Sequence, residues 1–193
     1  MESLTRANGR RAVTTLKAQA ATLGGALGIF WATLGANALV GGALFQLGIV
    51  PRTLTGLRGI FFAPFIHGSI AHLVANTIPF VVLGWLVMLQ GRGRFARVTL
   101  ASMLGAGLSA WLLGAPGSVH IGASGVIFGY LGFLMLAGLF ERKFLNIGLS
   151  LGVTALWGGL VFGVLPGEVG VSWQAHLGGF IGGVMAARSL KRR

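Results

Sequence analysis

The sequence predicts an all-α polytopic membrane protein: a bundle of six transmembrane helices with both termini on the cytoplasmic side. Three observations predict it. Of 193 residues, 54% are hydrophobic and only 9% charged, whereas a soluble domain carries about a quarter charged residues. Apolar stretches long enough to cross a bilayer, roughly 20 residues each, recur along the chain. Lys and Arg gather in alternate gaps between those stretches, as membrane topology requires.

The expected spans are about 21–45, 69–90, 97–114, 121–140, 144–165 and 173–189. Pro51, Pro116 and Pro166 fall in or beside the gaps, where helix breakers belong. Residues 1–20 read as a basic cytoplasmic tail, 21–190 as the six-span membrane domain and 191–193 as a second basic tail. No cleavage motif of small residues follows a short apolar region, so the first span is expected to be retained rather than removed as a signal peptide. Arg6, Arg10, Arg11 and Lys17 precede the first span. Arg92, Arg94 and Arg97 follow the second, Arg142 and Lys143 follow the fourth, and Arg188, Lys191, Arg192 and Arg193 close the chain. The other three gaps hold only Arg52 and Arg58. Spans two, four and six then all run from outside to inside.

Composition also narrows the chemistry. There is no Cys, which removes disulfides and thiolate metal sites. There is no Asp, and Glu occurs only at Glu2, Glu141 and Glu168. The net charge of +12 is explained by the flanks of the spans, so no nucleic-acid partner is expected. The 34 glycines suit close helix packing in lipid.

Polar groups inside a span are costly and mark function. Three stretches carry them at one depth. Span two opens with HGSIAHLVAN, placing His67, His72 and Asn76. Span four opens with GASG, placing Gly122, Ser124 and Gly125. Span six opens with WQAHLGGFIGG, placing His176, Gly179 and Gly183. His72 and Asn76 stand at i and i+4, on one helix face. His176, Gly179 and Gly183 share another face, and Gly125 with Gly129 gives span four a small-residue face. If those faces meet, His176 comes within reach of Ser124. An imidazole base then activates the weak serine nucleophile. Asn76, His72 and the Ser124 N–H are available as donors to an oxyanion.

Each residue also has a plainer reading. Ser124 between glycines fits a packing serine. His67, at the membrane edge, fits an interface or structural histidine. His72 and Asn76 fit interhelical hydrogen bonding, and His176 a lone satisfied histidine. Their coincidence at one depth is what the plainer readings leave unexplained.

With these residues in place, the chain resembles the rhomboid family of intramembrane serine proteases. His67, His72 and Asn76 meet the family's HxxxxHxxxN pattern. Gly122, Ala123, Ser124 and Gly125 meet its GxSG, and Ala175, His176, Gly179 and Gly183 meet its AHxxGxxxG. The three occur in the family's order, on spans two, four and six, within a match running from about residue 45 to the end. The resemblance implies a six-helix bundle of rhomboid type and a Ser124–His176 dyad with His72 and Asn76 at the oxyanion hole. It implies a multi-pass protein of a bacterial plasma membrane, cutting membrane-spanning protein substrates that enter laterally from the bilayer near the fifth span. No cofactor or metal is implied. Two departures stand out. Phe128 occupies a position that is often Tyr in the family, keeping the ring that supports the base but losing the hydroxyl. The first outer loop, about 46–66, lacks a Trp-Arg pair seen in some members and has GIVPRTLTGLRG instead, with Arg52 and Arg58 as candidate headgroup contacts.

A serine triad needs an acid. Glu2 and Glu141 are expected on the cytoplasmic side, and Glu168 in an outer loop, solvated, so a dyad is expected, with packing to orient the imidazole. Zinc on His67, His72 and His176 lacks an HExxH motif and an acidic base. A transporter lacks an acidic residue within a span. A catalytically inactive relative that binds membrane clients is the remaining alternative, although such relatives typically lack the serine or the histidine.

Overall fold

The computed structural model describes residues 2–167 and 170–190, with side chains from residue 14 onward; Glu168 and the tail 191–193 lie outside the described residues. Among the described residues eight α-helices follow one another: α1 Glu2–Leu39, α2 Leu54–Leu57, α3 Gly59–Phe62, α4 Ile70–Leu89, α5 Arg92–Leu113, α6 Ser124–Glu141, α7 Phe144–Trp157 and α8 Trp173–Leu190. Short 3-10 turns occupy Ala43–Leu47, Ala63–Phe65 and Gly158–Val164. Among the described residues there is no strand, only one antiparallel bridge between Ile49 and His120.

Among the described residues, five helical segments are long and apolar enough to cross a membrane: Thr14–Leu39, Ile70–Leu89, Arg92–Leu113, Ser124–Glu141 and Phe144–Val164. The sequence leads one to expect six. The sixth, α8, has the length, 18 residues, but is less apolar, because Gln174, His176 and four glycines dilute it. A helix enclosed by protein needs less hydropathy of its own than one facing lipid. α8 lies between α5 and α6, touching each through small residues. A β-carbon at Gly179 would run into the Gly125 carbonyl, and one at Gly183 into that of Gly129. On the opposite side Gly178 abuts the Gly105 carbonyl and Gly182 that of Ala101. The pairings place α8 parallel to α6 and antiparallel to α5.

α6 is the axis of the bundle. Gly125 through Leu134 are all buried, and the core formed by Tyr130, Leu131, Phe133 and Leu134 meets Leu73, Phe80, Leu83 and Val87 of α4. Tyr130 hydroxyl lies 2.8 Å from the Thr99 hydroxyl, tying α6 to α5. The first span ends earlier than its apolar run suggests. Gly41 and Gly42 take φ of 63° and 87°, a turn that glycine enters at little cost. In backbone, residues 2–20 of the basic stretch are helical and continuous with the rest of α1.

The loop at about 46–66, expected on the outer side, is built rather than loose. Thr53 caps α2 by accepting the Gly56 N–H at 3.0 Å. Arg52 and Arg58, read as headgroup contacts, donate to the Leu112 and Gln46 carbonyls at 2.9 and 3.2 Å. At the other end of the bundle, Glu141 pairs with Arg94 and accepts from Asn146 Nδ2 at 2.9 Å. Ser150 then bonds the Leu134 carbonyl and the Gly138 N–H. The first half of α7 is thus fixed to α6, while the Phe144–Val164 segment is otherwise poorly buried.

Candidate active site

The starts of α4, α6 and α8 converge at one end of the bundle. Ser69 opens α4, its hydroxyl accepting the His72 N–H at 3.1 Å. Ser124 is the first residue of α6, so its N–H has no acceptor within the helix. His176 lies in the first turn of α8. Gly125, Gly129, Gly179 and Gly183 set the α6–α8 distance, and at that distance His176 Nε2 is 2.8 Å from Ser124 Oγ.

The other imidazole nitrogen fixes the roles. His176 Nδ1 is 2.9 Å from the Gly163 carbonyl oxygen. A carbonyl only accepts, so Nδ1 carries the ring proton and the neutral ring turns the Nε2 lone pair to Ser124 O–H. Phe128 stacks on the ring, centroids 4.0 Å apart and planes at 9°. This is the ring-on-ring support expected at position 128, made without a hydroxyl.

Beside Ser124, Gly122 has φ +109°, a region that favours glycine. A β-carbon there would come within 2.7 Å of His72 Nε2 and 3.7 Å of Asn76 Nδ2. The two side chains therefore border a small space that a larger residue would fill. Asn76 Nδ2 is buried and has no hydrogen-bond partner among the described residues, which is costly unless the site has a use for it. The Gly68 N–H approaches His72 Nδ1 at 3.5 Å, an arrangement in which His72 Nε2 carries the proton on the Gly122 side.

His67 lies in the segment just before α4. It is fully buried, packed between Phe30 and His72 with ring centroids 5.2 and 5.1 Å away. Its Nε2 faces the Ala123 N–H at 3.5 Å. Burial first, and the neighbouring His72 second, push its pKa down to about 4. Of the three histidines weighed as zinc ligands, His176 has both ring nitrogens engaged within the chain.

Two groups escape a reading of motifs. Gly163 is one; its signal is Pro166, three residues on, which has no N–H. His120 is the other. It spans Ser118 Oγ at 2.9 Å and Ser172 Oγ at 2.6 Å, joining the loops before α6 and α8. Burial pushes its pKa down. A histidine four residues before Ser124 gives no periodic signal, because it lies in a loop. A cavity of about 20 Å³, room for a water molecule, lies beside Ser124 and is lined by His120, Gly125, Ser172 and Ala175 among others.

Fold and site together define a class: a helical integral membrane protein with a part-buried serine–imidazole pair at one end of its central helix. A family model described as Rhomboid domain matches residues 54–193, and the chain belongs to the rhomboid family. An uncharacterized protein of Mycobacterium tuberculosis is 46% identical over 157 residues, 77% of this chain and 65% of the relative. One from Mycobacterium leprae is 48% identical over 139 residues, 68% of this chain and 55% of the relative. Rhomboid protease GluP of Bacillus subtilis is 35% identical over 128 residues, covering 65% of this chain and 24% of that protein. The chain thus spans less than two thirds of the length of these relatives.

Proposed function

We propose that this chain is an intramembrane serine endopeptidase that cuts membrane-spanning proteins with Ser124 as nucleophile and His176 as base. One observation carries the reading: Ser124 Oγ and His176 Nε2 lie 2.8 Å apart, with an unpartnered buried amide, Asn76 Nδ2, alongside. Family membership and the printed name of the Bacillus subtilis relative support the protease class.

The chemistry follows from these atoms. As Ser124 Oγ bonds to the substrate carbonyl carbon, its proton passes to His176 Nε2. The carbonyl oxygen becomes an oxyanion, received by Asn76 Nδ2, His72 Nε2–H and the Ser124 N–H. Collapse breaks the C–N bond, and the proton on Nε2 leaves with the amine. Water, deprotonated by the same nitrogen, cleaves the acyl ester and restores Ser124. His67 holds no reacting atom in this scheme; it supports the Ala123 turn and the His72 ring. Gly122 and Gly125 leave room for the acyl group, and Gly179 and Gly183 let His176 approach. Phe128 keeps the imidazole plane fixed.

The reading places the site toward the outer face of a multi-pass plasma-membrane protein, with substrates entering from the bilayer near α7. Purified native chain should cut a model single-span substrate, and Ser124→Ala should not. Cleavage retained in Ser124→Ala would end the reading.

A further inference from the structure

Serine hydrolases of the triad type hold the base with an acid. Here Glu141 stands at the far end of α6, 17 residues from Ser124 and so roughly 25 Å along the axis, committed to Arg94 and Asn146. We propose that the main-chain carbonyl of Gly163 takes the place of that acid: it is a positioning group that locks His176 in the Nδ1–H form. The inference rests on the Ser124–His176 reading and extends it to the segment that follows α7.

The sequence makes this carbonyl available. Gly163 lies in a 3-10 stretch, Gly158–Val164, where each carbonyl accepts the N–H three residues on. Three residues on from Gly163 is Pro166, which has no N–H. Proline also biases the preceding residue away from helix, and Leu165 is extended at φ −89°, ψ 145°. The chain therefore leaves the helix at this point with the Gly163 oxygen unclaimed by its own segment. His176 Nδ1 fills it at 2.9 Å. The residue is glycine because the approach is close. A β-carbon would lie 2.8 Å from Phe128 Cζ and 3.5 Å from His176 Nδ1, displacing the stacked pair from the carbonyl. One short segment thus presses on both the ring that supports the base and the base itself.

The consequence is a coupling. The first half of α7 is bonded to α6 through Asn146 and Ser150, but the 3-10 stretch has no buried residue. If this stretch swings away from α6, the Gly163 bond breaks and His176 can exchange its ring proton between nitrogens. The base is then competent only while the segment after α7 lies against the site.

Two measurements test this on the full chain. First, ¹⁵N spectra of the solubilised wild type, with the His176 signals assigned by their loss in His176→Gln, should show a protonated Nδ1 and an unprotonated Nε2. Second, Val164 is replaced by its α-hydroxy acid, turning the Gly163 carbonyl into an ester and a poorer acceptor without changing a side chain. The expected result is a kcat roughly tenfold lower, the size of one lost hydrogen bond, with KM unchanged and the His176 nitrogens shifted toward a tautomer mixture. The same replacement at Leu165, which alters the neighbouring carbonyl, should leave both readouts at wild-type values. A Val164 ester at full kcat overturns this proposal alone; a wild-type Nε2 that carries the proton overturns it and also removes the lone pair that the dyad reading needs. A wild type that neither cuts a single-span substrate nor reacts at Ser124 overturns the dyad reading and this proposal with it.

Discussion

At the scale of single residues, the site is defined by donors and lone pairs with one use each. Asn76 Nδ2 is buried without a partner and His72 Nε2 faces the same small space beside Gly122. Removing one oxyanion donor typically costs about 3 kcal/mol, roughly a hundredfold or more in rate. Asn76→Ala and His72→Ala are each expected to lose that much kcat while staying folded, as judged by unchanged thermal unfolding. Full activity in both would make them packing residues. His67 contributes differently. Its pKa is about 4 in the fold against an ordinary 6.5 when unfolded. Between those values the unfolded chain binds the extra proton, so the stability held by neutral His67 is complete above pH 6.5 and is lost as pH falls toward 4. His67→Gln should flatten the unfolding temperature across that window relative to wild type.

At the scale of elements, glycine faces decide where the site residues stand. His176 and Ser124 are 52 residues apart in sequence and meet because α6 and α8 pack backbone to backbone through Gly125, Gly129, Gly179 and Gly183. Gly179→Val should abolish cleavage by forcing α8 outward with both Ser124 and His176 still present, and a circular dichroism spectrum should show the helices intact. Much of this was legible beforehand. The spacings of His72 with Asn76, and of His176 with Gly179 and Gly183, are helix-face signals, and expected span limits for α4, α5, α6 and α8 fall within a few residues of those found. The rest depends on tertiary placement or on loops. The burial of His67 depends on α1, whose Phe30 packs on it and is remote in sequence. His120 and the Arg52 and Arg58 clasps sit in loops without period. Gly163 acts through a main-chain oxygen, which no side-chain motif reports.

At the scale of the whole molecule, one buried helix, α6, is ringed by α4, α5, α7 and α8, with α1 packed on α4. This core answers the low hydropathy of α8, the helix that composition alone does not mark as a span. Orientation rests on the distribution of Lys and Arg. Because the chain has no Cys, single cysteines report sidedness cleanly. A cysteine at Ser118 should react with an impermeant thiol reagent in intact cells, and one at Arg142 or Arg94 should not. The reverse pattern would place the site on the cytoplasmic side. The central claim is that Ser124 is a nucleophile activated by His176. The most direct measurement is covalent labelling of the solubilised native chain with a fluorophosphonate, read by mass spectrometry of the modified peptide. The account predicts modification at Ser124, nearly abolished in folded His176→Ala and unchanged by a chelator. A folded native chain that leaves Ser124 unmodified, or a His176→Ala variant that labels as fast as wild type, would contradict it.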